Sequence, residues 1–566
     1  MAAAIQGDIL EKRREQAFPK LTAQQIARLE PHGERLDTRT GQVLVEPGVR
    51  HQKLYVVLAG SMEAVVPGLQ GESLITVLVP GDFSGELSTL RGVAGFSRLR
   101  VRESGKVLAI DERKLRDIVQ TDAELSELMM RAFILRRVGL VASGQGQIML
   151  LGSRHSAATL QLREFLTRNA YPHVNVDLDG DADVQALLDR FQVGVQEVPV
   201  VIGHCGRVFR NPSIRDVAKY LQMNPAIDES KVHDLVVVGA GPAGLAAAVY
   251  AASEGLDVLV VETVAPGGQA GTSSKIENYL GFPTGISGQA LAGRALVQAQ
   301  KFGAIINVAC SAVRLRCERR PYTVELSDGR TVKASTIVIA SGAQYRELPL
   351  ENLARFVGNG VYYAATHMEA KLCQGEEIVI VGGGNSAGQA AVFLAGGCRH
   401  VHILVRSGGL ASTMSRYLIR RIEESPKITL HTQTQLTALE GSDRLERIAW
   451  RSASKPQDER RDIAHAFLMT GAEPNTKWLD GCLLLDEKGF VRTASDLGAD
   501  DLAAAAWPLG RSPYLSETSI PGVFAVGDVR AGSVKRVASA VGEGSICIQF
   551  VHRALLDIAA PVRRGA

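Results

Sequence analysis

The chain of 566 residues has only seven cysteines, and no two of them form a Cys-x-x-Cys motif. They are Cys205, Cys310, Cys317, Cys373, Cys398, Cys482 and Cys547. So few cysteines without paired spacing exclude a disulfide-bonded scaffold and are typical of the reducing cytoplasm. We therefore expect free thiols and a cytoplasmic protein.

Long apolar runs and an excess of one charge are also lacking. With 63 Lys and Arg against 60 Asp and Glu, the net charge is +3, which gives no reason to expect a nucleic-acid partner. No run of about 20 apolar residues predicts a membrane helix, and residues 1–20 lack the apolar core of a signal peptide. The length predicts about three or four domains, and no metal site is predicted.

Two glycine-rich turns each follow an apolar strand and precede an Ala-rich helix. In the first, a strand at 235–238 leads to Gly239, Gly241, Pro242, Ala243 and Gly244. A helix is predicted at 245–253, and a second strand at 258–261 ends at Glu262. This pattern is typical of dinucleotide sites, where the glycines allow close backbone approach and the helix N-terminus faces a pyrophosphate. The carboxylate of Glu262 suits a ribose diol.

The second turn comprises Gly382, Gly384, Asn385, Ser386 and Ala387 after a strand at 378–381. Its next strand, 400–405, ends in Arg406 rather than in an acid. A cation there suits a 2′-phosphate, so the sequence favours NADPH over NADH. Arg416 follows and could assist, whereas Arg420 and Arg421 fit a solvated helix face better.

These turns and further motifs in residues 232–559 resemble the low-molecular-weight thioredoxin reductase family. The further motifs are Gly267-Gly268-Gln269, Ile276-Glu277-Asn278-Tyr279, Ala340-Ser341-Gly342-Ala343, residues 471–476 and residues 522–528. The resemblance implies FAD on a domain split between 232–351 and 477–566, NADPH on an inserted domain at 352–476, and a homodimer.

The same resemblance implies individual FAD contacts. Asp528 would hold the ribityl chain and Asn278 would lie near the isoalloxazine ring, while Gly268, Gln269 and Gly342 belong to the shared motifs. Lys535, Arg536 and Val537 stand where the family has Arg-Gln-Ala beside the flavin.

The chain departs from the family at its redox centre. Where the family has Cys-Ala-Thr-Cys after a tyrosine, this chain has Ala364-Ala365-Thr366-His367 after Tyr363. Ala364 and His367 therefore occupy both cysteine positions, and a disulfide relay needs two thiols there. His367 is either a proton donor near the flavin or a packing residue, and Cys373, nearby, is interpreted as a structural thiol.

Residues 1–144 resemble a cyclic-nucleotide-binding β-roll, whose predicted short strands include 53–58 and 61–66, followed by helices at 112–120 and 123–141. The resemblance rests on residues 41–47, 54–60 and 80–83 and on Gly85, Glu86 and Leu87, which match the phosphate-binding turn. The arginine that the family places about nine residues after the glutamate is absent, since Gly95 stands there, and only a shifted loop brings in Arg98. Binding of a cyclic nucleotide and a purely structural role both remain open.

Residues 145–223 read strand–helix–strand–helix–strand–strand–helix and resemble a thioredoxin or glutaredoxin fold. Val198-Pro199 matches its cis-proline, while Ser153 and Ser156 occupy its two cysteine positions. The segment is thus either a binding domain without redox chemistry or a spacer. A polar linker at 222–233 separates it from the FAD domain.

The sequence predicts a multidomain protein of α+β and α/β class: a β-roll with helices, a thioredoxin-like domain and two three-layer, Rossmann-like dinucleotide-binding domains. Its expected function is transfer of a hydride from NADPH to FAD N5 and then to an unknown acceptor or protein partner. A non-catalytic nucleotide or redox sensor is the first alternative. The second is ferredoxin–NADP reductase-like activity, or disulfide reduction through other thiols.

Overall fold

The computed structural model describes residues 13–50, 53–68, 71–91, 94–142, 148–153, 156–178, 194, 197–203, 207–273, 275–276, 278–346, 348–363, 365, 367–455, 457–479 and 481–559. Within them, none of the helices is both long and apolar enough to cross a membrane. The predicted helix at 184–191 lies outside the described residues.

The N-terminal part is an antiparallel β-roll with helices on one side. Its strands and helices are α1 (Arg14–Ala17), α2 (Ala23–Leu29), β1 (Gly33–Thr38), β2 (Val43–Val45), β3 (Lys53–Gly68), β4 (Gly71–Leu78), α3 (Leu87–Arg91), β5 (Arg98–Asp111), α4 (Glu112–Thr121) and α5 (Ala123–Ala142). The strand order is β1-β5-β3-β4, with β2 beside β5. The sequence predicted two strands where the single strand β3 runs, because Gly60 suggested a turn. Gly60 instead has φ +77° within a series of register shifts against β5.

The second part contains a mixed four-stranded sheet. Its elements are β6 (Ile148–Gly152), α6 (Ala157–Arg168), β7 (His173–Asp177), β8 (Val200–Ile202), β9 (Val208–Arg210) and α7 (Ile214–Tyr220). The strand order is β7-β6-β8-β9, in which β6 is parallel to β7 and antiparallel to β8. The Val198–Pro199 peptide bond is cis, as the sequence predicted.

The third part is a three-layer domain built from two stretches of chain. The first stretch supplies β10 (Val232–Val238), α8 (Pro242–Ser253), β11 (Val258–Val261), α9 (Gly288–Lys301), β12 (Ile305–Asn307), β13 (Ala312–Arg316), β14 (Tyr322–Leu326) and β15 (Thr331–Ile339). The strand order is β12-β11-β10-β15-β14-β13. A later stretch returns with β26 (Val523–Ala525), which pairs in parallel with β15.

The inserted fourth part begins and ends at a two-stranded link, β16 (Ala343–Tyr345) and β25 (Ala472–Pro474). Between them lie α10 (Leu353–Phe356), β17 (Val361–Tyr362), α11 (His367–Leu372), β18 (Glu377–Val381), α12 (Asn385–Leu394), β19 (His400–Leu404), α13 (Arg416–Glu423), β20 (Ile428–His431), β21 (Thr434–Glu440), β22 (Arg447–Ser452), β23 (Glu459–Arg461) and β24 (Ala466–Leu468). The main sheet is parallel, in the order β17-β24-β18-β19-β20. The stretch of chain that follows the inserted part contains, in addition to β26, the helices α14 (Ala499–Ala504) and α15 (Val537–Ala559).

One hydrophobic core runs through the first three parts. It includes Phe96 and Leu140 of the β-roll, Phe165 and Tyr171 of the second part, and Leu235 with much of β10 and α8. Because buried apolar contact supplies most of the stability of a fold, this shared core holds the three parts together as one body.

Candidate functional site

The first glycine turn is shaped by contacts that exclude side chains. Gly239 has φ +106°, and a Cβ atom there would lie 2.3 Å from the carbonyl oxygen of Ala340. A Cβ atom on Gly244 would lie 1.9 Å from the carbonyl oxygen of Gly239, so this glycine lets α8 approach β10. No atom lies within 4 Å of the Cβ position of Gly241, at the N-terminus of α8. The turn thus leaves open space where a dinucleotide pyrophosphate would meet free N–H groups.

Residues far apart in sequence surround this turn. A Cβ atom on Gly268 would lie 3.1 Å from Cα of Gly241, and one on Gly527 would lie 3.0 Å from Cβ of Ala243. Gly342 follows Ala340 and has open space at its Cβ position. The structure therefore brings the glycine turn, the loop at 267–269, the end of β15 and the segment before Asp528 to one place.

Glu262 lies at the end of β11 with its carboxylate anchored to the backbone. Its Oε2 accepts from the N–H of Ala240 at 2.7 Å, and its Oε1 accepts from the N–H of Val264 at 2.9 Å. The side chain is buried at 9% exposure, yet each carboxylate oxygen retains a further lone pair. These bonds orient the carboxylate beside the turn, where it suits a ribose diol.

Burial raises the pKa of Asp528, Lys535 opposes that shift, and Glu543 adds to it. The ammonium group of Lys535 lies 4.6 Å from the ring centre of Phe490 and 3.4 Å from the carbonyl oxygen of Asp528. Arg536 is exposed, and Val537 begins α15.

The remaining predicted flavin contacts lie on loops. The side-chain amide of Gln269 donates to the carbonyl oxygen of Ala343, which ties the 267–269 loop to the link between domains. Asn278 is exposed, so nothing within the described chain buries it.

The second glycine turn repeats the geometry of the first. Gly382 has φ +145°, and a Cβ atom there would lie 2.2 Å from the carbonyl oxygen of Met469. Gly384 immediately precedes α12, and its Cβ position is open except for a carbonyl oxygen at 4.0 Å. Asn385 Oδ1 accepts from the N–H of Ser415 at 2.8 Å, which fixes the loop in front of the turn. Ser386 and Ala387 continue the first turn of α12.

Arg406 follows β19 and is exposed, and Arg416 begins α13 and is exposed as well. Neither guanidinium forms a hydrogen bond or ion pair with another described residue. Arg420, in contrast, pairs with Glu424 at 3.0 Å, and Arg421 donates to the hydroxyl of Tyr417. Arg406 and Arg416 are thus the cations of this region that remain available to a phosphate.

The cysteines contradict the expectation of free thiols. Cys317, after β13, and Cys482, in the returning stretch, form a disulfide across 165 residues of sequence. The spacing gave no signal because the inserted domain lies between them. Cys373 and Cys398 are both buried, and their Sγ atoms lie 3.5 Å apart. Ala364 and the side chain of His367 are outside the described residues, although α11 begins at His367.

The N-terminal β-roll contains a partly open cavity with a volume of about 60 Å³. Its wall contains the turn Gly85–Glu86 and the guanidinium group of Arg136 from α5. Glu86 forms a buried ion pair with Arg137 at 3.1 Å, and Leu87 begins α3. Arg136 donates to the carbonyl oxygens of Ala17, Phe83 and Gly85. Its Nη2 and the Oε1 of Glu86 are buried without a hydrogen-bond partner among the described atoms.

Arg98, the sequence candidate for a phosphate contact, faces away from this cavity wall. Its guanidinium group pairs with Glu46 at 3.0 Å and with Glu72. Sequence reasoning missed Arg136 because it comes from the helix after the roll, and no spacing rule connects it to the turn. No cluster of three His, Cys, Asp or Glu side chains able to hold a metal occurs in the described part of the chain.

Paired dinucleotide turns, one on a split domain and one on an inserted domain, define a two-nucleotide oxidoreductase. The pyridine nucleotide-disulphide oxidoreductase family matches residues 233–544, more than half of the sequence. The chain belongs to this family and is a thioredoxin reductase-like oxidoreductase whose cofactors are FAD and NADPH. A cyclic nucleotide-binding domain matches residues 35–122.

Curated relatives resemble the C-terminal part. A thioredoxin reductase of Mycolicibacterium smegmatis is 32% identical over 55% of this chain and 93% of its own length. The NADPH-dependent thioredoxin reductase 3 of Arabidopsis thaliana is 31% identical over 57% of this chain, which spans only 58% of the plant protein. Among solved structures, the thioredoxin reductase of Lactococcus lactis in its FR conformation aligns over 57% of this chain and 99% of its own, with a TM-score of 0.51 at 25% identity.

Proposed function

We propose that the protein is an NADPH-dependent flavin oxidoreductase that works without the active-site disulfide of thioredoxin reductases. The proposal rests on one observation: Ala364 and His367 stand at the two positions where the thioredoxin reductase family has cysteines. When bound, FAD accepts a hydride from NADPH at N5, and the acceptor after the flavin is a different molecule from thioredoxin.

The burial of the described thiols supports a route for electrons from the flavin other than disulfide exchange. Cys373 and Cys398 are at most 2% exposed, and exchange requires a partner sulfur to reach the attacking thiolate. The hydrogen bond with Cys398 and, after it, burial raise the pKa of Cys373, which further lowers its reactivity. Cys317 and Cys482 pack against the hydrophobic cluster that contains Val236 and Val238, whereas α8 belongs to the other core of this domain.

The proposed roles of the residues combine the geometry of the turns with what the family resemblance implies. Gly239, Gly241 and Gly244 would admit the FAD pyrophosphate, Glu262 would bind the ribose, and Asp528 would bind the ribityl chain. Gly382 and Gly384 would admit the NADPH pyrophosphate, with Arg406 and Arg416 on the 2′-phosphate. The acceptor class is a quinone, an iron–sulfur protein, a dye or oxygen.

Anaerobic addition of NADPH to the purified yellow protein tests the proposal. We expect rapid loss of the flavin absorbance near 450 nm, which is the measured sign of hydride transfer. We also expect no NADPH-dependent reduction of oxidised thioredoxin. A flavin that stays oxidised while NADPH binds tightly would instead favour the sensor alternative. A thioredoxin-dependent rate that Cys373→Ser abolishes would favour disulfide reduction through the buried thiols.

We further propose that the N-terminal cavity binds a cyclic nucleotide through a relocated cation. The unpartnered Nη2 of Arg136 and Oε1 of Glu86 both lie in residues of the cavity wall. A buried polar atom without a partner costs about 1–3 kcal/mol, which a ligand with an acceptor and a donor would recover. A phosphate oxygen and a ribose hydroxyl supply that combination.

Calorimetry of the full chain with cyclic AMP and cyclic GMP tests this site. We expect a dissociation constant in the micromolar range, and a loss of roughly tenfold or more on Arg136→Lys, which shortens the donor fork. Arg98→Lys is the matched control and should bind as the wild type does. Equal binding by both variants would show that Arg136 does not contact the ligand. No binding at 1 mM ligand would show that the domain has a structural role.

A further inference from the structure

Helix α6 of the second part lies against the loop that borders the first glycine turn. Arg168, at its C-terminal end, donates through Nη2 to the carbonyl oxygen of Gly268 at 2.8 Å and of Ala265 at 3.4 Å. The side-chain amide of Asn169 donates to Val264 at 3.3 Å. In return, Gln289 of α9 donates to the carbonyl oxygen of Thr167 at 2.9 Å. The C-terminal end of α6 is thus bonded to the FAD domain.

The N-terminal half of the same helix lies against the inserted domain. A Cβ atom on Gly358 would lie 3.3 Å from the Cβ of Ala157 and 3.7 Å from a methyl group of Leu160. One turn beyond Leu160, burial lowers the pKa of Arg163, and the carboxylates of Glu369 in α11 and of Asp177 oppose that shift. Helix α6 therefore contacts Gly358 of the inserted domain as well as the loop of the FAD domain.

The contact with Gly358 links the two stretches of sequence in which the redox cysteines are replaced. Ser156, the second substituted position of the thioredoxin-like part, caps α6 through the N–H of Thr159 and directly precedes Ala157. The substituted positions of the inserted domain fall between Gly358 and Glu369 in sequence. Thiol–disulfide exchange requires the two sulfurs to touch, so any dithiol partner of a reductase with this fold must contact that segment.

We propose that α6 occupies, within the same chain, the surface by which this reductase fold would meet a thioredoxin-type partner. The second part is then a docked, thiol-free partner rather than a mobile electron carrier, and free thioredoxin is excluded from the surface. Only the interpretation of residues 363–367 as the former cysteine site rests on the proposed function. The contacts of α6 with Gly268 and Gly358 do not depend on it.

Hydrogen–deuterium exchange of the holoprotein tests the docking without any turnover. In Arg163→Glu/Arg168→Glu, we expect backbone amides of residues 264–272 and 357–372 to exchange roughly tenfold faster or more, because two bonds to carbonyl oxygens are lost and a negative charge at position 163 would repel Glu369. Gln161→Glu, on the exposed face of α6, is the matched control and should leave both segments unchanged. In Arg163→Glu/Glu369→Lys, the reversed charges should restore protection of residues 357–372.

The exclusion of thioredoxin has its own test. Ala364→Cys/His367→Cys restores the cysteine pair, and with intact α6 contacts it should not reduce oxidised thioredoxin in the presence of NADPH. Adding Arg163→Glu/Arg168→Glu should produce that activity. Equal rates in the two backgrounds, or none in either, would overturn the claim of exclusion. Unchanged exchange in Arg163→Glu/Arg168→Glu would overturn the docking itself, whether or not NADPH reduces the flavin.

Discussion

At the scale of single residues, the glycines of the turns carry the tightest geometric requirements. Gly244→Ala would place a Cβ atom 1.9 Å from a backbone oxygen, where no flexible side chain can yield. We expect destabilisation of about 1–3 kcal/mol and purified protein with less than half of the wild-type FAD content. The absorbance ratio at 450 and 280 nm measures that content.

Gly293→Ala is the matched control for this substitution. It lies on α9 with open space at its Cβ position, so the alanine should stabilise the helix by up to about 1 kcal/mol and leave FAD bound. Equal FAD content in Gly244→Ala and Gly293→Ala would contradict the role given to the first turn.

Arg406 is the residue to which we assign the preference for NADPH. Because it is exposed and forms no ion pair within the described chain, its guanidinium group is available to a 2′-phosphate. We expect Arg406→Ala to raise the KM for NADPH roughly ten- to hundredfold and to leave the KM for NADH unchanged. Arg420→Ala, whose arginine pairs with Glu424, should change neither value. A parallel rise for NADH would mean that Arg406 acts elsewhere than on the 2′-phosphate.

At the scale of elements, the parallel sheet of the inserted domain contains a buried histidine pair. His402 on β19 lies 3.1 Å, Nδ1 to Nε2, from His431 on β20. Burial first, and then the neighbouring His400 and His431, lower the pKa of His402 to about 4. An unfolded chain protonates this side chain near pH 6.5, so the stability it contributes is complete above that pH and is lost as the pH falls.

This linkage predicts a measurable difference at mildly acidic pH. Between pH 7 and pH 5, His402 should account for a fall of about 2 kcal/mol in the free energy of unfolding. In His402→Gln that part of the fall should disappear, whereas His32→Gln, in the N-terminal domain, should retain it. Urea unfolding followed by far-UV circular dichroism at the two pH values gives the comparison. An identical pH dependence in His402→Gln would show that the side chain is protonated in the folded protein.

The elements that the sequence predicted well are those with a strong local pattern. Strand β11 matches its predicted bounds, and α8 begins at Pro242 rather than at Leu245 because a proline is well placed in the first turn of a helix. Strand β3 was divided in the prediction because a glycine inside a strand resembles a turn. Three features were not predictable, because each joins residues that only the tertiary fold brings together. They are the Cys317–Cys482 pair, the bonds of Arg136 and the contacts of α6.

At the scale of the whole molecule, a shared core joins the β-roll, the second part and the FAD domain. The ring of Phe96 in the β-roll lies 4.8 Å from that of Tyr171, which follows α6, and Arg137 lies 4.2 Å above Phe96. Glu86 forms an ion pair with Arg137. A ligand bound at Glu86 would therefore act on the contacts that connect Arg137, Phe96 and Tyr171, just after the end of α6. We expect cyclic AMP to change the rate of anaerobic flavin reduction by NADPH at least twofold, measured by stopped-flow absorbance, and Tyr171→Leu, outside the cavity wall, to remove that effect without abolishing ligand binding.

The number of electrons that the protein accepts tests the central claim, a flavin enzyme without a coupled disulfide. Anaerobic titration with dithionite, followed at 450 nm, counts the reducing equivalents taken up per FAD. The account predicts two electrons per flavin, because neither Cys317–Cys482 nor the Cys373–Cys398 thiols exchange electrons with it. Uptake of four electrons, with two new thiols after denaturation, would contradict it and show that a disulfide remains part of the path.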